Sequence, residues 1–342
     1  MTLHANWLYK RGYDAVNFRL RRMADGRFAG HCRPVTINLL LTERCQARCL
    51  HCDIWKNTGR EETPSVEELK RTLQEIRRWL GPVQITITGG EALLKPYAIE
   101  LIRYAVSLEL IVEVLTNGYW PQASKIEQLA LADPWRITIS LDGIGAAHDR
   151  IRGREDFFQR TNSTIELLCN LRRQQKLGYA ILLKTVIMEH NLAELGTVAR
   201  YADEHGVEVL YQPIEQNYNT ADDPEWFDHT QNWPHDLSAV RAAVLELKEL
   251  KQQRLPIVNS CDDLDAILKY FEDPRRLGVA VRAHVAPTRA SLCAAITNMQ
   301  IQANGDVRVC SQKPPVGNIR ESSIRTIWEK RPQFWKNGCC RS

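Results

Sequence analysis

Short apolar runs alternate with amphipathic helical patterns along the first two thirds of the chain. Six runs rich in Val, Ile and Leu are predicted strands, at 35–41, 83–88, 111–115, 136–141, 179–188 and 207–213. Helical periodicity fills the intervals between them, at 65–80, 97–108, 124–131, 157–176 and 192–205. Strands that alternate with helices indicate parallel β/α units, and their apolar composition is typical of strands buried on both faces.

The pattern changes on either side of this region. Residues 1–33 predict an amphipathic helix with a short basic turn, and 215–234 have no periodicity. Helices are predicted next, followed by a β-hairpin around Asn304-Gly305 and a closing helix. We therefore expect an N-terminal helical extension, a barrel, a linker and a small C-terminal unit, at 1–33, 34–215, 216–290 and 291–342.

Composition excludes several classes of protein. The 342 residues carry a formal charge of only +4, and we see no clustered basic patch that would indicate nucleic-acid binding. No apolar run approaches the ~20 residues of a membrane helix, and the N-terminus lacks a signal-peptide pattern. Ten cysteines without a secretion signal indicate a reducing compartment and metal ligation, so we expect a cytoplasmic protein.

The densest chemical signal is a group of three cysteines directly after the first predicted strand. Cys45, Cys49 and Cys52 form a C-x-x-x-C-x-x-C spacing. Iron–sulfur clusters normally take four thiolates, so three suggest a cluster with one open iron. A zinc site is the alternative, but it usually needs a second cysteine pair or well-spaced histidines, and His51 is too close to Cys52.

Further motifs follow at the ends of the next three predicted strands. They are Thr88-Gly89-Gly90-Glu91, Leu115-Thr116-Asn117-Gly118 and Ile139-Ser140-Leu141-Asp142-Gly143. Together with the cysteine loop, and in this order, they resemble the radical SAM (S-adenosylmethionine) superfamily. The resemblance implies a partial (β/α)6 TIM-like barrel, in agreement with the strand pattern, with its active site at the carboxyl ends of the strands.

The resemblance also implies cofactors and roles. A [4Fe–4S] cluster on the three cysteines would bind SAM at its open iron, and SAM cleavage would give a 5′-deoxyadenosyl radical. His51 would lie against the adenine, and Glu91 would accept from the methionine ammonium beside Gly89 and Gly90. The remaining expected cofactor contacts are Ser140 and Asp142 to the ribose, Arg152 to the methionine carboxylate, and Asn191. For Arg152 and Asn191, a surface arginine and a helix cap are the alternatives.

The C-terminal unit resembles the SPASM domain or its shorter twitch form, which holds an auxiliary iron–sulfur cluster. Cys293, Gly305 with Cys310, and Val316-Gly317-Asn318-Ile319 carry this resemblance. One auxiliary cluster is expected, with ligands drawn from Cys293, Cys310, Cys339 and Cys340, and with Cys261 in reserve. The alternative is a hairpin without a cluster.

These expectations converge on a radical SAM enzyme that abstracts hydrogen from a biosynthetic intermediate. A small molecule, sugar or lipid-linked compound is favoured as substrate, because about thirty residues before the barrel are too few for a peptide-recognition domain. A peptide-modifying enzyme of the same superfamily and a non-catalytic iron–sulfur redox protein are the alternatives. An external electron donor of the flavodoxin or ferredoxin type is the expected partner.

Overall fold

A computed structural model describes residues 3–22, 28–57, 59, 61–216, 223, 225–274, 294–310 and 313–333 of the chain. Their core is one nine-stranded sheet with the strand order β6-β5-β4-β3-β2-β1-β7-β8-β9. The strands are β1 Thr36–Leu40, β2 Gln84–Thr88, β3 Ile111–Thr116, β4 Arg136–Ser140, β5 Ala180–Ile187, β6 Glu208–Pro213, β7 Asn298–Ile301, β8 Asp306–Arg308 and β9 Gly317–Asn318. The first six are parallel and form an open, partial β/α barrel.

Helices connect and cover the strands. They are α1 Leu3–Arg22, α2 Val66–Leu80, α3 Ala98–Ser107, α4 Ala123–Leu131, α5 Ala146–Arg152, α6 Phe157–Gln175, α7 Leu195–Glu204, α8 Trp226–His229, α9 Leu237–Gln252, α10 Cys261–Glu272 and α11 Ile324–Lys330. Within the ranges that the structure describes, no helix combines the length and the apolar character that crossing a bilayer requires.

Alternation along the strands separates two environments. In β2, Ile85 and Ile87 are fully buried against the helices, whereas Gln84 and Thr86 point to the other face. The same period of two places Val112 and Val114 of β3 in the helix-facing core. The inner face of the sheet, which we call the lumen face, is consequently far more polar than the core between strands and helices.

The C-terminal hairpin extends the barrel wall instead of standing apart from it. Strand β7 pairs in parallel with β1, with Ile37 opposite Met299, and β8 and β9 continue the sheet in antiparallel fashion. The predicted Asn304-Gly305 turn is present, with Gly305 at a φ of +88° that favours glycine. The hairpin unit therefore shares one continuous sheet with the barrel.

Helix α11 attaches the C-terminal unit to the N-terminal region. The Trp328 indole donates to the Cys32 carbonyl over 3.0 Å, and the Arg331 guanidinium lies 3.8 Å above the Trp328 ring. Both side chains are almost fully buried. Sequence periodicity predicted helix α11, but it carried no sign of this contact across almost 300 residues.

The six strands and their connecting helices agree with the sequence-based prediction within a few residues. Two segments differ from it. Helix α5, between Gly145 and Gly153, was not predicted, because seven residues are too few for a clear helical period. The helix predicted at 192–205 begins as a 3-10 turn, Glu189–Glu194, and becomes α-helical only at α7.

Candidate cluster and cofactor site

The loop after β1 carries the three cysteines and is fixed to the end of β2. The Gly90 amide donates to the Thr42 carbonyl over 2.7 Å, and the Glu91 amide donates to the Arg44 carbonyl over 2.9 Å. A Cβ atom on Gly89 would lie 2.3 Å from the Thr42 oxygen, and one on Gly90 would lie 2.4 Å from the Arg44 oxygen. The two glycines are thus required by contact between the two chain segments.

Two further strand ends hold the same loop. The Gln46 amide donates to the Tyr119 carbonyl beyond β3 over 2.9 Å. The Arg48 amide donates to the Arg152 carbonyl over 2.9 Å, at the end of α5, which follows β4. The cysteine loop is therefore anchored to the carboxyl ends of β2, β3 and β4, where the sequence motifs lie.

The three thiols share a small apolar environment and receive polar hydrogen bonds. Cys49 is buried with Phe157, and Cys45 and Cys52 pack beside it. Burial raises the pKa of the Cys45 thiol to about 12 and also raises the pKa values of the other two thiols. Removing a proton here therefore requires compensating positive charge, which bound iron supplies.

Two donors point at these sulfur atoms. Asn117 Nδ2 lies 3.5 Å from Cys45 Sγ, and an Arg152 guanidinium nitrogen lies 3.5 Å from Cys49 Sγ. Among the described residues, no three His, Cys, Asp or Glu side chains converge closely enough to hold one metal ion.

Glu91 is fully buried at the junction of β2 and β3. Its carboxylate accepts from the Asn117 amide over 2.7 Å and from the Thr116 hydroxyl over 3.0 Å. Burial raises the pKa of Glu91 to about 7. The side chain thus links two strand ends in addition to the expected role towards a methionine ammonium.

Asp142 and Arg152 form a buried ion pair with 2.5 Å between Oδ2 and a guanidinium nitrogen. Although burial alone would favour the neutral acid, Arg152 holds the pKa of Asp142 below its usual range. The other oxygen of Asp142 accepts from the Val186 amide over 2.9 Å. Asp142 is 0% exposed, so its observed contacts are with the protein, and it fixes Arg152 against Cys49.

Ser140 and Asn191 occupy different environments. Ser140 is half-buried at the end of β4 on the lumen face, so its hydroxyl is available to a ligand. Asn191 is buried, and its side-chain amide hydrogen-bonds only to the backbone. It donates to the Asp142 and Val186 carbonyls and accepts from the Met188 amide. Its contact with the Met188 amide, at the start of the 3-10 turn Glu189–Glu194, is of the helix-cap kind given as the alternative for Asn191.

Several buried polar atoms around the cysteine loop have no partner among the described residues. They include Nδ1 of His51, Oε1 of Gln46 and Nε of Arg152. Burial also lowers the pKa of His51 to about 4, so its ring is neutral at physiological pH. Because buried polar groups in proteins are nearly always paired, these atoms fit a site completed by bound groups such as a cluster and SAM.

Comparison with known families identifies the site. Residues 39–195 match the radical SAM superfamily, and residues 293–337 match the SPASM iron–sulfur cluster-binding domain. The chain is a radical SAM enzyme with a C-terminal SPASM domain. Its cofactors are a [4Fe–4S] cluster and SAM in the barrel, with iron–sulfur binding in the SPASM domain. The protein is therefore an enzyme, and the alternative of a non-catalytic iron–sulfur redox protein is wrong.

Relatives of this radical SAM enzyme differ in their named activities. It is 25% identical to an AdoMet-dependent heme synthase of Methanosarcina barkeri over 86% of this chain and 82% of that protein. It is 26% identical to the antilisterial bacteriocin subtilosin biosynthesis protein AlbA of Bacillus subtilis, over 86% of this chain but 59% of AlbA.

A solved structure supports the fold of the radical SAM and SPASM regions together. The chain superposes on Streptococcus suis SuiB bound to its precursor peptide SuiA with a TM-score of 0.65 and 16% identity. The match covers 89% of this chain and 66% of SuiB. At this identity, the similarity establishes the architecture alone.

The predicted SPASM ligands are only partly within the described residues. Cys293, Cys339 and Cys340 lie outside them, and the matched range ends at residue 337. Cys310 follows β8 and is half-buried against the core. Cys261 is the first residue of α10, a helix that packs on α9 and β6, at the opposite edge of the strand order from the hairpin.

Some residues of the radical SAM site carried no recognised signal in the sequence. Asn117 lies in a motif that was noted, but its contact with Cys45 was not foreseen. Glu61 accepts from the Thr42 hydroxyl and pairs with Lys95 over 2.7 Å, and so supports the start of the cysteine loop. No local pattern marks Glu61, because its partners come from two other segments of the chain.

Proposed function

We propose that this enzyme abstracts a hydrogen atom from a small, polar biosynthetic intermediate, which includes sugars and lipid-linked compounds. In this proposal Cys45, Cys49 and Cys52 would hold the cluster, and bound SAM would supply a 5′-deoxyadenosyl radical. His51 offers a flat neutral ring to the adenine, and Ser140 offers a hydroxyl to the ribose. Glu91 accepts from the methionine ammonium, while Asp142 positions Arg152.

The observation that carries the choice of substrate is the polar lumen face. A continuous row of polar side chains crosses six neighbouring strands in register, from β4 to β8. The row consists of Arg136, Glu113, Thr86, Asn38, Gln300 and Arg308. Because side chains at paired positions point to the same face, polar side chains line the lumen along its width. Such a lining favours a polar substrate over a purely apolar one.

Similarity to the heme synthase supports a small-molecule substrate, because it extends over most of both chains. Similarity to AlbA favours the second candidate, a peptide-modifying reaction, although the chain spans a smaller share of that protein. The two candidates use the same cofactor site and differ in what occupies the lumen.

The proposed enzyme works in a reducing, cytoplasmic environment. All seven described cysteines are free thiols, which suits cluster assembly under reducing conditions. Reduction of the cluster requires an electron from outside the chain, and we propose a flavodoxin or a ferredoxin as its donor.

The test is anaerobic reconstitution of the full chain, followed by an assay of 5′-deoxyadenosine with dithionite as reductant. Candidate small molecules and candidate peptides are compared, each with non-exchangeable, carbon-bound deuterium labels. The proposal expects stimulation of 5′-deoxyadenosine formation, with deuterium transferred into it, by a polar small molecule. Stimulation by peptides alone would support the second candidate, and the absence of SAM cleavage would contradict both.

A further inference from the structure

Lys184 extends from β5 to the lumen face, close to the cofactor end of the barrel. Its neighbours Leu183 and Thr185 are fully buried on the opposite face, whereas Lys184 itself is half-buried. In the sheet register, Lys184 lies directly beside Ser140, the last residue of β4. Its side chain therefore lies on the lumen face at the level of Ser140, on the cofactor side of the polar row.

Two carboxylates that act on Lys184 through their charge, Glu113 of β3 and Asp142 after β4, already have other partners. Glu113 accepts from Gln84 and Thr138, over 2.9 Å and 2.6 Å, and pairs with Arg136 over 2.9 Å. Asp142 is neutralised by Arg152. Both carboxylates influence Lys184 through their charge, but neither is within ion-pair distance of it.

One charged neighbour remains. Glu215 follows the end of β6 by two residues, and Lys184 is the only charged group that acts noticeably on it among the described residues. No ion pair joins Glu215 to Lys184 in the part of the chain that the structure describes. Among the described residues, Lys184 therefore has no carboxylate within ion-pair distance, and Glu215 acts on it only through its charge.

We propose that Lys184 binds an anionic group of the substrate, a carboxylate or a phosphate, inside the barrel lumen. A charge-assisted hydrogen bond in a half-buried position is stronger than one at the surface, so a single lysine can orient the substrate. The register with Ser140 places this anchor at the cofactor end, so the rest of the substrate lies within the lumen. The inference rests on the proposed function and adds the substrate's charge to it.

Glu215 allows a test in which two substitutions should change anion affinity in opposite directions. Because Glu215 repels an anion bound at Lys184, its neutralisation should strengthen binding, whereas loss of the Lys184 charge should weaken it. Damage to the fold would weaken binding in both variants. Opposite effects of the two substitutions would therefore not arise from misfolding.

The experiment titrates succinate and, separately, inorganic phosphate into the reconstituted, SAM-loaded full chain by calorimetry. We expect one of the two anions to bind the wild type. Lys184→Met should weaken that binding by roughly tenfold or more, Lys184→Arg should retain it, and Glu215→Gln should strengthen it. Lys269→Met, on the exposed face of α10, is the control and should bind as wild type does.

Two results would overturn the anchor: no binding of either anion to the wild type, or equal affinity in Lys184→Met. In both cases, 5′-deoxyadenosine formation by the wild type decides whether the proposed function stands. If the wild type cleaves SAM but anion binding does not depend on Lys184, only the proposed anion site is wrong. If the wild type does not cleave SAM, the proposed function is wrong, whatever the anion titration shows.

Discussion

The two ends of the barrel differ in how their buried polar groups are satisfied. At the end where the strands begin, Glu113 is saturated by the Arg136 guanidinium and by neighbouring amide and hydroxyl donors. At the end where the strands finish, buried polar atoms of Gln46, His51 and Arg152 have no partner in the described part of the chain. Glu113 is thus satisfied without a ligand, whereas the unpartnered atoms at the other end fit ligands that complete them.

Removal of the three cysteines should abolish SAM cleavage at the end of the barrel where the strands finish. The triple variant Cys45→Ala, Cys49→Ala and Cys52→Ala loses every candidate thiolate for the cluster that binds SAM. We expect no 5′-deoxyadenosine above background after anaerobic reconstitution and reduction. The matched control, Cys169→Ala on α6, should retain activity. Activity in the triple variant would place the cluster elsewhere.

Iron content extends the comparison to the C-terminal hairpin. With one auxiliary cluster, the wild type should hold about eight irons per chain, and the triple variant about half of that. Cys310→Ala should lose the other half, because Cys310 is the candidate auxiliary ligand placed on the hairpin. Iron near four in the wild type, unchanged in Cys310→Ala, would mean that this unit folds without a cluster.

Loss of Glu113 should damage the ligand-independent end through stability. Glu113→Ala leaves Arg136, whose side chain is 22% exposed, without its partner, so the cost in unfolding free energy should lie between the ~1 kcal/mol of an exposed pair and the ~3–5 kcal/mol of a fully buried one. Denaturant titration of the reconstituted protein measures this cost. The control is Glu329→Ala in the exposed Arg325–Glu329 pair, which should cost about 1 kcal/mol or less. Equal costs for the two variants would contradict the contrast between the two ends.

Sequence predicted the fold better than it predicted the site. Apolar strands separated by helical periods identified the six barrel strands, because burial on both faces leaves a local pattern. The cysteine loop and the three strand-end motifs were equally local. The pairing of β7 with β1, the contact of Arg152 with Cys49 and the support by Glu61 depend on distant segments that meet only after folding. Asp142 shows the same limit, since its position was predicted but not its contacts with Arg152 and the Val186 amide.

Glu91 tests the boundary between structural and cofactor roles. Glu91→Gln removes the charge offered to a methionine ammonium, so SAM affinity should fall by roughly tenfold or more while the cluster spectrum remains. Burial raises the pKa of Glu91 to about 7, so protonation should weaken SAM binding to the wild type as the pH falls below that value. Glu91→Gln should lack this dependence. A SAM titration at several pH values measures both effects, with Glu100→Gln on α3 as the exposed control. Unchanged affinity would restrict Glu91 to linking β2 and β3.

The smallest expected effect concerns Asn117, which donates from Nδ2 towards Cys45 Sγ while its Oδ1 accepts from the Tyr119 amide. A hydrogen bond to a cluster thiolate stabilises the more negative, reduced state, so its loss should lower the midpoint potential. Asn117→Asp keeps the acceptor for Tyr119, loses the donor and adds negative charge. Its midpoint potential should therefore fall further than that of Asn117→Ala.

Spectroscopically monitored redox titration of the reconstituted protein measures these potentials, and the Cys310→Ala background isolates the barrel cluster. Asn170→Ala on the exposed face of α6 is the control and should leave the potential unchanged. A potential that does not move in Asn117→Asp would show that the 3.5 Å contact has no electronic effect. Asn117 would then act only through the turn that it closes beyond β3. The unpartnered polar atoms alone would then distinguish the end of the barrel where the strands finish from the end where they begin.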